Sequence, residues 1–248
     1  EALPRSAKAS GIEFDKFATG HYARLSYNDE TKRYRLQKAV DERKDQSYFI
    51  YRLKQEQLAK ILLPLGGITK NEVREIARKY DLKVSDKPDS QDFYSGDIND
   101  ILQQEPKIGN FVDKNGKVLG HHHGIWNFTI GQRRGLGISA DRPLYVIALN
   151  KDTNEVVLGY DEDCYKQSLI ADNWSWLSVE PITAPALVNV KLRSSQKPIA
   201  AEYEPLANGK AKLIFREKQK AVACGQSAVL YDDDGYVLGG GIIESAQL

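Results

Sequence analysis

The sequence predicts an α/β segment followed by all-β structure. Two observations carry that expectation. Up to about residue 80, apolar positions at helical spacing alternate with short apolar runs, as when helices layer on strands. From about Phe93 the pattern changes to short alternating strands separated by turns, as in hairpins and small barrels. The chain has 248 residues, 41% hydrophobic and 28% charged, enough for two or three small cores. No stretch approaches the roughly 20 apolar residues of a membrane span, and EALPRSAKAS at the N-terminus has no signal-peptide pattern, so no membrane partner is expected.

In chain order, Glu1 to Ser10 is helix-like, and Phe14 to Ala18 is an apolar run breaking at Gly20 as a strand entering a loop would. Tyr34 to Val40 is a second extended segment. Gln55 to Leu63 has Leu58, Ile61 and Leu62 at helical spacing and ends at Pro64 and Gly66-Gly67. Thr69-Lys70-Asn71-Glu72 has capping-box spacing, and Val73, Ile76, Ala77 and Tyr80 share one apolar stripe, so a helix is expected from about Lys70 to Lys79. Val112 to Val118 reads as a hairpin around Asn115-Gly116, and Tyr145 to Leu149 with Val156 to Tyr160 as another. Val188, Val190 and Leu192 alternate with Asn189, Lys191 and Arg193, predicting a half-buried strand. Ala211 to Arg216 repeats the alternation, and Ser227 to Tyr231 with Tyr236 to Ile243 surrounds the acidic turn Asp232 to Gly235.

The formal charge of +1 is an average over blocks of opposite sign. Lys151 to Glu180 carries seven acids and two bases, whereas Ala186 to Lys220 carries eight bases and three acids. The basic block suits either an anionic polymer or a solvated strand face. Two cysteines, Cys164 and Cys224, make neither a disulfide framework nor a metal-ligand pair, and a reducing cytoplasm fits best. The chain starts at Glu1 and contains no methionine, which suggests a fragment.

Five motifs are dense in chemistry. Ala18-Thr19-Gly20-His21-Tyr22 follows an apolar strand, where α/β sheets bind ligands and a glycine lets a nucleotide approach; a surface turn with a capping histidine fits equally. Lys44-Asp45-Gln46-Ser47-Tyr48 offers an ammonium for phosphate and polar groups for a base or ribose, or else a helix cap. Gly131-Gln132-Arg133-Arg134-Gly135-Leu136-Gly137 is a glycine-hinged basic loop suited to a phosphate backbone, without GxGxxG or a P-loop pattern. His121, His122 and His123 alternate across a strand with no ligand-spaced partner, so no metal site is expected. Cys224-Gly225-Gln226 opens the last hairpin.

The ordered series ATGHYAR (18–24), KDQSY (44–48), LPLG (63–66) with KNEVREIA (70–77), DSQDF (89–93), GQRRGLGI (131–138), GQSAV (225–229) and LGGGII (238–243) resembles the tRNA-specific 2-thiouridylase family over nearly the whole chain. The resemblance implies the rear part of a PP-loop (adenine nucleotide α-hydrolase-like) domain over 1–93, a small β-rich central domain over 94–165 and a C-terminal β-barrel over 166–248. It implies an ATP-using tRNA-uridine 2-sulfurtransferase, with magnesium, that adenylates C2 of the wobble uridine and replaces the oxygen by sulfur. Gly20 would then touch ATP, and His21, Lys44, Asp45, Gln46, Arg193, Ser194 and Gln226 would touch tRNA.

Two departures matter. The family's phosphate loop and first catalytic cysteine would precede Glu1, so the chain alone is not expected to adenylate. Where the family carries its persulfide cysteine, this chain has Tyr94, which cannot hold a persulfide. Sulfide, a sulfur-donor protein, an upstream cysteine or an iron–sulfur cluster on upstream cysteines would have to supply the sulfur. The alternative is a tRNA-binding relative with lost or altered sulfur chemistry.

Overall fold

A computed structural model describes residues 2–83 and 105–247; the DSQDF stretch and Tyr94 lie outside the described residues. The first segment contains α1 (Ala2–Ala9), β1 (Phe17–Ala18), β2 (Ala23–Asn28), β3 (Arg33–Lys38), α2 (Gln55–Leu58), β4 (Ile61–Leu62) and α3 (Lys70–Lys79). Thr69 starts α3 as its spacing predicts: its hydroxyl accepts the Glu72 N–H at 3.3 Å, and the Glu72 carboxylate accepts the Thr69 N–H at 2.7 Å. The apolar stripe is buried only at Ala77; Ile76 and Tyr80 are 47% and 67% exposed, so periodicity overstated what this helix covers.

The helix expected over Gln55 to Leu63 is a single turn. Ile61 and Leu62 instead pair in parallel with Phe17 and Ala18, because β1 offers them backbone partners that an isolated turn does not. The β2–β3 hairpin was hidden by its charged residues; only Leu36 and Ala23 of its strands are buried. Of the extended segment expected over Tyr34 to Val40, Tyr34 to Lys38 lies in β3, and Ala39 and Val40 fall beyond its end.

The central strands are β5 (Gly109–Val112), β6 (Val118–His122), β7 (Tyr145–Asn150) and β8 (Glu155–Gly159), in the sheet order β6-β5-β8-β7. Both hairpins read from the sequence are present. Phe111, Leu136, Val146, Val156 and Leu158 form the core of this sheet. The three histidines alternate as strand geometry requires: His122 is buried in edge-to-face contact with Phe111 and Phe128, while His121 and His123 are exposed.

The remaining strands are β9 (Tyr165–Trp176), β10 (Ala186–Lys191), β11 (Ile199–Pro205), β12 (Ala211–Lys220), β13 (Ser227–Tyr231) and β14 (Val237–Gln247), closed into a barrel in the order β10-β11-β12-β9-β14-β13. Closure removes exposed sheet edges. The glycine triplet has a steric origin. A Cβ on Gly239 or Gly241 would come within 3.0 Å of the Trp176 ring or 2.9 Å of the Trp174 ring, two indoles stacked 5.5 Å apart. A Cβ on Gly240 would lie 2.7 Å from the Tyr51 ring.

Two compact units result. One gathers the described residues before 84 with Ala171–Leu213 and Gln226–Ile243, around Leu36, Tyr48, Tyr51, Leu58, Leu177 and Tyr231; the other contains the central sheet. Among the described residues no helix is long and apolar enough to cross a membrane.

Candidate nucleic-acid interface

Parallel pairing of β1 with β4 places Gly20 and His21 just beyond the C-terminal end of a strand, where open α/β sheets bind ligands. Thr19 holds the imidazole, its hydroxyl 2.6 Å from His21 Nδ1. Gly20 is exposed, and an added Cβ would meet only Leu65 Cδ1 at 3.8 Å, so its backbone is open to a ligand. The chemistry of that strand end suits a nucleotide approaching the main chain.

The next motif is tied to the first by main-chain hydrogen bonds. Gln46 N–H donates to the Tyr22 carbonyl at 2.8 Å, and the Gln46 side-chain oxygen accepts the Tyr22 N–H at 3.0 Å. His21 and Lys44 to Gln46 therefore share one surface. Within this tripeptide the roles divide. The Asp45 carboxylate is enclosed, with side-chain exposure of 2%, and accepts from Ala39 N–H, Ser47 N–H and the Ser47 hydroxyl at 3.0–3.2 Å. Its fourth partner is the Lys191 ammonium at 3.4 Å. Lys44 is half-buried at the edge of a groove of about 470 Å³, which Arg43, Lys70 and Arg74 also line, opposed by Asp41 and Glu42.

The segment after Gln46 docks on the barrel strands. The Ser47 hydroxyl meets Tyr231 Oη at 3.2 Å, and burial drives the Tyr231 pKa well above the ordinary phenol value. Tyr48 Oη donates toward the Ser227 carbonyl at 3.0 Å and lies 3.3 Å from that of Leu192. Burial raises the Tyr48 pKa, so it remains a donor at neutral pH. Ser227 Oγ lies 3.1 Å from Tyr51 Oη. These bonds bear on both barrel loops, because Leu192 immediately precedes Arg193-Ser194 and Ser227 immediately follows Gln226. One tyrosine thus registers both barrel loops against the 44–46 tripeptide. Arg193 and Gln226 are exposed and Ser194 is half-buried.

All eight candidate residues consequently belong to one compact unit. The sequence reading missed the residues that hold them: Lys191, Tyr48, Tyr51 and Tyr231. Lys191 falls in the solvent-facing register of its strand, yet it is buried, with its ammonium against Asp45 at 3.4 Å and 5.9 Å from the Tyr231 ring centroid. A visible signal was the run Ser47-Tyr48-Phe49-Ile50-Tyr51, too aromatic for a simple surface cap. Its two buried tyrosines, Tyr48 and Tyr51, face the barrel, while Phe49 is 63% exposed.

Neither cysteine is bonded to a residue of this set among the described contacts. Cys164 is buried, which raises its thiol pKa, and Cys224 is exposed. Among the described residues no three His, Cys, Asp or Glu side chains converge on a metal-sized site.

Residues 2–94 match the family profile described as tRNA methyl transferase HUP domain, 97–160 the tRNA methyl transferase PRC-barrel domain, and 166–243 the aminomethyltransferase beta-barrel domain. The chain is 49% identical over 243 residues to the tRNA-specific 2-thiouridylase MnmA of Endomicrobium trichonymphae, covering 97% of this chain and 67% of that protein. It is 46% identical to the protein of that name from Picosynechococcus sp., covering 96% and 69%. For that of Acetivibrio thermocellus the identity is 43%, covering 98% and 69%. The relatives all bear the name tRNA-specific 2-thiouridylase, and each match runs across all three segments. By that match the chain belongs to the tRNA-specific 2-thiouridylase family.

Proposed function

We propose that this protein serves ATP-dependent 2-thiolation of the wobble uridine, position 34, of tRNA in the cytoplasm, with the segments 1–93, 94–165 and 166–248 as its functional domains. The observation that supports it best is the Tyr48 cross-link, which brings His21, Lys44, Gln46, Arg193, Ser194 and Gln226 into one unit. Those side chains supply what a folded RNA needs: cations for phosphates and amide or hydroxyl groups for bases and riboses. Asp45 serves this surface from inside, by holding Lys191 and the turn through Ser47.

In the reaction the uridine C2 oxygen attacks the α-phosphate of ATP and pyrophosphate leaves. Sulfur then adds at C2, and AMP departs with the original oxygen. Gly20 leaves its main chain open toward the nucleotide, and His21 beside it orients the tRNA. Residue 94 is tyrosine, so the sulfur comes from another carrier, a donor protein or sulfide. That same residue favours a second reading, a tRNA-binding relative whose sulfur chemistry is altered.

Deleting the full gene and measuring 2-thiouridine by mass spectrometry of bulk tRNA separates the two. Loss of the modification, restored by the wild-type gene and restored poorly by Lys44→Ala or Arg193→Ala, is expected. Unchanged thiolation in a strain without a second copy rejects the enzyme reading. Complementation by Tyr94→Cys then shows whether residue 94 handles sulfur.

A further inference from the structure

The basic loop Gly131 to Gly137 belongs to the other compact unit and is held by several hydrogen bonds. Gly131 N–H donates to the Val146 carbonyl at 2.8 Å and Val146 N–H to the Gln132 carbonyl at 2.9 Å, fixing the loop to β7. The Gln132 side chain braces it from within, accepting from Thr129 N–H and donating to the Arg134 carbonyl, both at 3.0 Å. Gly131 and Gly135 have φ of 86° and 76°, which a side chain would strain. Leu136 turns into the core at 8% exposure.

This scaffold holds Arg133 and Arg134 in solvent. Three acids of the same unit are already engaged with other cations. Asp161, Glu162 and Asp163 pair with Lys220, Arg142 and Lys114 respectively, so that acidic run is fully engaged. Among the described residues neither Arg133 nor Arg134 has a carboxylate partner. Two adjacent guanidiniums on a braced loop, with the apolar Leu136 withdrawn, offer charge and forked donors without an apolar anchor. Phosphodiesters match that chemistry; a protein interface would want an anchor at its centre.

We propose that Arg133 and Arg134 form a second phosphate-binding site, which takes the sugar-phosphate backbone of the tRNA independently of its sequence. The proposal rests on the tRNA reading above. It makes the central unit an RNA-binding element that fixes the register of the tRNA.

The test measures binding of an unmodified wobble-uridine tRNA to the chain across a salt series, for wild type, the double variant Arg133→Gln/Arg134→Gln, the double variant Arg133→Lys/Arg134→Lys, and Lys44→Ala. The Gln variant should lower the slope of log K against log salt by about 1.4–1.8, the value for two phosphate contacts. The Lys variant should retain most of the slope, and thermal unfolding should not change. An unaltered slope in the Gln variant overturns the proposal, including the case where that variant instead loses an acidic protein partner. Should wild type and Lys44→Ala both fail to bind tRNA, the underlying functional reading falls as well.

Discussion

The two acid–base clusters of this protein use the same side chains for opposite purposes. Asp45 and Lys191 are 2% and 6% exposed and join elements 146 positions apart in sequence. Asp161, Glu162 and Asp163 meet Lys220, Arg142 and Lys114 at the surface, with exposures of 18–58% across the group. In the first case the charges are part of the packing, since neither group can return to water without opening the unit. In the second, solvent and salt compete for every bond. The difference teaches that the charges nearest the candidate tRNA surface need not be the ones that touch it.

The largest effect follows from breaking the buried pair. Lys191→Ala leaves the Asp45 carboxylate enclosed with three neutral donors and no counter-charge, at a cost of about 3–5 kcal/mol in urea unfolding. Asp45→Asn combined with Lys191→Met should regain much of that loss, because an amide oxygen still accepts from Ala39 and Ser47 N–H. If Lys191→Ala costs no more than Lys220→Ala, the distinction between the two clusters fails.

A smaller effect probes the seam beside that pair. Gly240→Ala puts a Cβ 2.7 Å from a Tyr51 ring that is only 3% exposed, and 3.0 Å from the Ala228 carbonyl oxygen. Neither neighbour can yield freely, so about 1–3 kcal/mol is expected. Because Tyr51 shares Ser227 with Tyr48, tRNA affinity should fall too. Gly67→Ala, with open space around it, should do neither. A stable Gly240→Ala protein with unchanged affinity would uncouple Tyr51 from the RNA surface.

The contrast also explains what the sequence could reveal. The hairpin around Asn115-Gly116, the capping box at Thr69 and the inward positions Val188 and Val190 of β10 are local, and each appears where its pattern placed it. Elements decided by distant partners were illegible. Ile61-Leu62 became a strand because Phe17-Ala18 lies beside it, and Lys191 became a core residue because Asp45 covers it. The site was legible as a set of motifs in order, since Gly20, His21 and the 44–46 tripeptide each carry recognisable chemistry. Its cohesion was not, because hydrogen bonds from Tyr48 to two main-chain carbonyls leave no sequence signal.

Next in size is a pH effect at His122. Burial, ahead of the neighbouring His123 and His121, lowers its pKa, and its Nδ1 accepts the Gly124 N–H at 3.2 Å, which a proton there would displace. The unfolded chain binds a proton at about pH 6.5, before the folded protein does. Stability therefore falls as pH drops through that value and stops falling below the depressed folded pKa. His122→Phe should flatten the dependence of Tm on pH between about 7 and 5, whereas His121→Gln and His123→Gln should leave most of it. Equal flattening by the exposed histidines would show that burial is not its cause.

The smallest effect is expected where the charges face water. Hydrogen bonds from Lys220 and Lys114 hold the Asp161 and Asp163 carboxyls below their ordinary range. The folded protein then takes up these protons later than the unfolded chain. What the pairs contribute is present above about pH 4 and is lost as pH falls through the depressed folded values. Asp161→Asn should lower Tm slightly at neutral pH and low salt, less in 0.5 M salt as screening tightens (on the order of a 4 Å Debye length), and not at all once wild-type Asp161 is itself protonated. Lys191→Ala should show no such relief by salt, because ions do not reach the buried Asp45. A salt dependence shared by both variants would mean that water already reaches the Asp45–Lys191 pair, and the surface built on it would be looser than its hydrogen bonds imply.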